Sequence, residues 1–128
     1  MVVITNTLLA LAMALGSVMA APAAADSAVK LVPRATGEIT YFNPGLGACG
    51  ETNGDGDAVA ALSASLFDAE RPCNRNIRVS YQGRSLTVRV VDRCQACAHD
   101  DVDLSPSAFQ HVIGDLALGR VTASWEWA

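Results

Sequence analysis

Four cysteines, Cys49, Cys73, Cys94 and Cys97, constrain the fold of this 128-residue chain more than any other feature. The length allows one domain. With a leader set aside, about ninety residues remain, a size at which a hydrophobic core is marginal and cross-links carry part of the stability. Four cysteines allow two disulfides in three connectivities. The favoured pairing is Cys49–Cys73 with Cys94–Cys97. The first closes a loop of 25 residues and contributes about 3 kcal/mol in the chain-entropy model. The second pins the loop that follows Val90-Val91-Asp92. Cys94-Gln95-Ala96-Cys97 has two rival readings. A thioredoxin-type motif needs a helix opening at its first cysteine, whereas Ala98-His99-Asp100-Asp101 reads as loop. A zinc site needs two further ligands and thiols protected from oxidation. No metal and no cofactor are therefore expected.

A leader is expected over residues 1–20. Leu8 to Leu15 is an apolar run, and the small residues Val18 and Ala20 suit cleavage before Ala21. The run is too short for a membrane span and is followed by Gly16 and Ser17. Residues 21–36, rich in alanine with two prolines, read as a linker or propeptide, because small residues bury too little surface to offset ordering entropy. The folded domain is expected over residues 37–128 and the protein in the extracellular space or cell wall. From Gly37 onward there are seven arginines, no lysine and twelve acids, a net charge of −5. Such a surface repels phosphate backbones and anionic lipid, which argues against nucleic acid and membrane as partners. Neutral polymers and uncharged ligands fit it better, and a monomer is expected.

Periodicity gives an all-β chain with one or two short helices. Residues 37–42 read as a first strand, ended by Asn43-Pro44-Gly45. Residues 58–62 read as a short buried strand, followed by a helical turn over 64–67 capped by Ser63. Residues 76–81 and 84–90 alternate around Gln82-Gly83, the clearest hairpin in the chain. Ile77, Val79 and Tyr81 are expected to face Leu86, Val88 and Val90. Val102-Asp103-Leu104 is short and extended. Ser105 as N-cap and Pro106 at the first helical position then open a helix to about Ile113. Gly114 to Gly119 connects it to an alternating strand over 121–127. Six short strands suggest a closed barrel, which leaves no exposed edge. Asn53, Asp55 and Asp57 mimic the start of a calcium loop. Ala58 stands where that loop needs glycine, and no glutamate closes it, so an EF-hand is excluded.

Asp92 ends a β-branched strand and Asp103 sits on a short apolar one, so two carboxylates are expected on neighbouring strand ends in one shallow furrow. The competing reading is that they cap loop amides or pair with Arg93 or Arg89.

Taken in order, Gly37-Glu38-Ile39-Thr40-Tyr41, Gly47-Ala48-Cys49-Gly50, Ala60-Ala61-Leu62-Ser63, Pro72-Cys73, Val91-Asp92-Arg93-Cys94 and Asp103-Leu104-Ser105 resemble the expansin-like proteins. Over residues 37–127 the chain is similar to the small double-psi β-barrels related to rare lipoprotein A, barwin and the first domain of expansins, and most of all to fungal loosenin-type proteins. The resemblance implies a six-stranded double-psi barrel and supports the disulfide pairing above. It also implies that Asp103 is a groove acid required for wall loosening, with Asp92, Thr40 and Tyr41 as surrounding substrate-binding groups. Asp103 would then be neutral, or a strong hydrogen-bond donor to a glycan oxygen, as a partly desolvated carboxyl favours.

Related inverting endoglucanases use a second carboxylate as base. It lies just after the first strand, where this chain has Asn43-Pro44. The function expected is therefore non-hydrolytic binding and loosening of cellulose or chitin. A lytic transglycosylase needs one acid only, and Asp103 could serve. No counterpart of the carbohydrate-binding second domain of full expansins is expected, so sugar stacking would fall to Tyr41, Trp125 and Trp127. The alternative class is a defence or effector module such as a cysteine-protease inhibitor. Stand-alone barrels of this kind include a bacterial papain inhibitor and plant kiwellins. Such a module would act on a secreted protease through loops 43–56 or 92–101, with Asp103 dispensable.

Overall fold

The computed structural model describes residues 33–128. The leader expected over 1–20, and residues 21–32 of the following segment, lie outside the described residues. Six strands close into a barrel: β1 (Ala35–Tyr41), β2 (Val59–Ser63), β3 (Asn76–Tyr81), β4 (Arg84–Cys94), β5 (Val102–Leu104) and β6 (Val121–Trp127). Two helices interrupt them, α1 (Ala64–Glu70) and α2 (Pro106–Val112), and a 3₁₀ turn covers Leu116–Leu118. The strand order around the barrel is β1-β5-β2-β4-β3-β6, with β6 returning to β1. The pairs β1–β5 and β2–β4 are parallel and the other four are antiparallel. The expected closed six-stranded barrel with two short helices is therefore what the chain forms.

The local signals explain these elements. Ser63 and Ser105 are both fully buried N-caps whose hydroxyls accept from the amides of Leu66 and Ala108, satisfying donors that each helix start leaves free. Gln82 and Gly83 both take positive φ, as a two-residue turn matching the strand twist requires. Inward-facing side chains alternate along the strands and meet α2 in one core: Ile39, Leu62, Ile77, Val79, Val88, Val90, Val102, Leu104, Phe109 and Trp125. Burying such side chains contributes about 1.5–3 kcal/mol each before entropy is counted.

Several boundaries differ from expectation. β1 begins at Ala35, because Ala35 and Thr36 pair with Trp125 and Ser124. Residues 35–36 thus belong to the barrel and not to the linker. α1 extends to Glu70, where Arg71 adopts a left-handed φ of 48° and ends it. In the hairpin, Ile77 faces Val88 and Val79 faces Leu86, but Tyr81 faces Arg84. Val90 instead faces Ala60 of β2, since β4 runs on to Cys94 and pairs with a third strand beyond the hairpin.

Both disulfides form as favoured, Cys49–Cys73 and Cys94–Cys97, and no cysteine is free. Cys49–Cys73 ties the loop before β2 to the one before β3. Near it β4 carries a bulge: Ala60 faces Val90 and Ala61 faces Asp92, so Val91 is unpaired within the sheet. Its carbonyl is turned to the Cys49 amide at 3.2 Å. Gly47 makes this approach possible, because a Cβ there would sit 2.5 Å from the Val91 oxygen.

Candidate functional site

An open groove of about 690 Å³ lies over the β1–β5 pair. Thr40 and Tyr41 of β1, Asp103 of β5, the Cys94–Cys97 loop and the segment Leu118-Gly119-Arg120 line it. Pleating places these side chains there. Asp103 stands between the buried Val102 and Leu104 and so points out of the barrel. Thr40 follows the buried Ile39 and is the direct register partner of Asp103. Tyr41 is exposed, and its ring rests on Phe109 with centroids 5.0 Å apart. The parallel β1–β5 pairing thus brings Asp103 beside the adjacent Thr40 and Tyr41 as one polar and aromatic surface.

Thr40 Oγ1 donates to Asp103 Oδ1 at 2.9 Å. Burial pushes the Asp103 carboxyl above the usual aspartate range, and the Asp92 charge adds to the rise. The Thr40 hydroxyl and the Arg120 guanidinium oppose it. Burial dominates because the carboxylate loses water and gains only one hydroxyl bond in the protein. The Cys94 and Cys97 sulfurs contribute to that desolvation: both lie within 4.8 Å of a carboxylate oxygen of Asp103. These three residues resemble a ligand set, but the two sulfurs are joined to each other and are not thiolates.

Asp92 has another task. It and Asp103 flank the same residue, Ala61, from opposite sides of β2, so a strand stands between the two acids, which do not share neighbouring strand ends in one furrow as expected. Asp92 Oδ1 accepts from the amides of Ala48 and Arg93, both at 2.8 Å, and Asp92 is not among the groove-lining residues. The acid fixes the Gly47–Cys49 loop against β4 and reaches Asp103 only through its charge. Arg93 and Arg89, the other partners considered, are engaged elsewhere. Arg93 forms a two-pronged pair with Asp68, both bonds 2.9 Å, and Arg89 does the same with Glu51 at 2.6 and 3.0 Å.

The aromatic expectations divide. Tyr41 is available. Trp125 is buried in the core, its indole N–H given to the Asp100 carbonyl at 2.9 Å. Trp127 is half-buried and covered by Arg75, whose guanidinium lies 3.9 Å from the ring centroid. Neither tryptophan borders the groove. Sequence reading missed Asp101, Leu118 and Arg120. Asp101 holds the cysteine loop, accepting from the Glu38 amide at 3.0 Å and the Ala98 amide at 2.9 Å. Leu118 is exposed and reaches the groove because Asp115 caps the 3₁₀ turn, accepting from the Ala117 amide at 2.8 Å. The Gly114–Gly119 spacing marked a connector but carried no sign of where it would dock.

A family model described as lytic transglycolase, a double-psi β-barrel, matches residues 34–122. The chain belongs to this family. A protein of Arthroderma benhamiae named allergen Asp f 7 homolog is 36% identical over 104 residues, which is 77% of this chain and 34% of that protein. The papain inhibitor of Streptomyces mobaraensis is 34% identical over 98 residues, covering 70% of this chain and 67% of the inhibitor. This double-psi barrel therefore spans about a third of the Arthroderma relative and two thirds of the Streptomyces one. Among solved structures, a Streptomyces papain inhibitor superimposes with a TM-score of 0.68 at 30% identity, over 75% of this chain and 94% of the inhibitor. A Clavibacter michiganensis expansin variant in complex with cellohexaose gives the same TM-score at 21% identity, over 75% of this chain and 50% of the expansin. That second likeness is one of fold. Among the described residues, no helix is long and apolar enough to cross a membrane.

Proposed function

We propose that this barrel is a secreted, expansin-like protein that binds and loosens cell-wall polysaccharide, cellulose or chitin, without cutting it. The observation that carries the reading is the juxtaposition of Asp103 and Tyr41 in one open groove. A carboxyl whose pKa burial raises keeps its proton to higher pH than a free aspartate, and in that form it donates a hydrogen bond to a glycan oxygen, while an exposed ring offers a face for the sugar's C–H surface. Both oxygens of Asp101 accept backbone amides, so Asp103 is the groove carboxyl left to meet a ligand. One such acid suits binding, or transfer to a substrate hydroxyl. Inverting hydrolysis asks for a second carboxylate as base, and the corresponding Asn43 is occupied with Asp55 at 3.1 Å. The expansin solved with cellohexaose has the same fold, which favours a glycan of that kind. The apolar run Leu8–Leu15 supports secretion.

The test is direct. Purified protein and Asp103→Asn are applied to filter paper and chitin, and retention, tensile weakening and released reducing sugar are measured. Weakening by the wild type, lost in Asp103→Asn and unaccompanied by sugar release, is the expected result. Equal weakening by both proteins would remove Asp103 from the proposal.

A second reading rests on the papain inhibitor, which matches in sequence and over nearly its whole solved chain. In that reading the 43–56 loop, with Leu46 exposed near its tip, engages a secreted cysteine protease. Inhibition of papain that survives Asp103→Asn and is abolished by Leu46→Asp would favour it.

A further inference from the structure

The segment that follows the Cys94–Cys97 disulfide is anchored independently of it. Residues 98–101 are fixed by other bonds: Ser63 Oγ to the His99 carbonyl at 2.8 Å, Trp125 Nε1 to the Asp100 carbonyl at 2.9 Å, and the two amides that Asp101 accepts. Cys94 itself is paired with Ser63 at the end of the β2–β4 ladder. Both sulfurs nevertheless belong to half-buried residues of the groove wall, beside the one carboxyl of the groove whose oxygens are not both committed to backbone amides. Cys49–Cys73, by contrast, takes no part in the groove.

We propose that Cys94–Cys97 is a thiol–disulfide exchange site for small thiols that enter the groove, with Asp103 supplying the proton to the departing sulfur. A small-molecule thiolate attacks one of the two sulfurs, the Cys94–Cys97 bond breaks, and its electron pair leaves on the other sulfur. The Asp103 carboxyl, within 4.8 Å of both, in its protonated form gives its proton to that sulfur directly or through one water and becomes a carboxylate. A second thiolate then attacks the mixed disulfide, releasing the second protein thiol after proton uptake. In sum, two thiols become one small disulfide, and the protein gains a dithiol. Three groups beside burial set its readiness to give the proton: Thr40 from β1, Arg120 from the segment before β6, and Asp92 of β4 through its charge; Asp101 of the cysteine loop shares the groove wall, its oxygens held by backbone amides. The site goes beyond the glycan reading and does not depend on it, since polymer binding by the oxidised protein tests that reading separately.

The experiment uses the oxidised full chain in reduced and oxidised glutathione mixtures. Samples are quenched by alkylation and read by intact mass and peptide mapping, with circular dichroism to follow the fold. Cys94–Cys97 is expected to open while Cys49–Cys73 stays closed and the barrel stays folded. Per thiolate, the wild-type rate constant rises as pH falls through the Asp103 pKa, whereas Asp103→Asn stays flat and is slower there by roughly tenfold or more. Thr40→Val, which removes a bond to the carboxylate, moves the rise to higher pH and keeps the test alive if Asp103→Asn misfolds. Opening of Cys49–Cys73 alongside Cys94–Cys97, an Asp103→Asn profile that overlays the wild type, or a Thr40→Val profile that does not move each overturns the proposal.

Discussion

Thr40 and Asp103, 63 residues apart, are register partners across the parallel β1–β5 pair, and their side chains meet at 2.9 Å on the outer face of the barrel. Their bond sets a balance. Burial favours the neutral acid, while the Thr40 hydroxyl stabilises the charged one. A β-branched threonine suits the strand and loses little χ1 freedom there, so the donor is held in place before any ligand arrives.

The first prediction concerns pH. Asp103 has a folded pKa raised above 3.8. Its contribution to stability is therefore complete below its unfolded pKa and is lost as pH rises through the folded value. Asp103→Asn removes that dependence, so the melting temperature of the variant relative to wild type should climb as pH increases across that interval. Polymer binding should follow the neutral acid, strong at low pH and lost as pH rises. Thr40→Val raises the Asp103 pKa further and moves both midpoints upward. Melting curves and polymer retention measured from pH 3 to 8, roughly the span of a shifted carboxyl, check the sign. A binding optimum that moves downward in Thr40→Val would contradict it.

The two disulfides should differ in worth. Cys49–Cys73 spans 24 positions and Cys94–Cys97 only 3. In the chain-entropy model, removing the first costs about 3 kcal/mol and removing the second about 2 kcal/mol. Alanine pairs at each site, unfolded in urea, give the comparison. The Cys94–Cys97 pair should remain folded, because Asp101 and Ser63 hold its loop by hydrogen bonds.

Tyr41 and Phe109 separate support from contact. Phe109 is fully buried and carries the Tyr41 ring. Phe109→Leu should cost about 1.5 kcal/mol in stability. It should also weaken polymer binding severalfold, because the ring above loses an aromatic contact of about 0.5–1.5 kcal/mol. Tyr41→Ala should weaken binding by at least as much while leaving the urea midpoint nearly unchanged. If Phe109→Leu binds polymer like the wild type, the ring is not positioned from below.

The hairpin, both helix caps and the short β5 strand were legible because each rests on local chemistry: a Gln82-Gly83 turn, Ser63 and Ser105 before apolar helices, alternation between turns; the disulfide pairing, one of three connectivities, drew its support from the family resemblance. The groove was only half legible. Asp103 is identifiable by its place on a short apolar strand and Thr40 through the family resemblance, but their meeting depends on a parallel register that no local signal encodes. Asp92 shows the same limit from the other side. It was expected beside Asp103, but Ala61 of β2 stands between them, and the capture of Asp92 by the Ala48 amide accompanies the bulge at Val91. Trp125 and Trp127 alternate with polar residues as groove aromatics would, and only the closure of β6 onto β1 and β3 turns their shared face toward the core, burying Trp125 and leaving Trp127 at its edge under Arg75.

Gly37 joins the core, the cysteine loop and the groove in one position. A Cβ there would run into the Asp100 carbonyl, with its carbon 2.5 Å away and the Asp101 nitrogen at 3.0 Å. These are backbone atoms, so relief requires the loop to shift and not merely a side chain to turn. The shift would strain the bond from Trp125 to Asp100 and the one from Glu38 to Asp101. Gly37→Ala should therefore cost about 2 kcal/mol, the range for a clash in a packed site. It should change tryptophan fluorescence and also reduce polymer binding, because Asp101 and the disulfide would leave their places in the groove wall. Gly45→Ala is the control, since nothing lies within 4 Å of a Cβ there, and its stability should match the wild type within about 0.5 kcal/mol. A Gly37→Ala protein that melts with the wild type would mean that the loop is free to move, and that the groove wall is set by something other than its contact with β1.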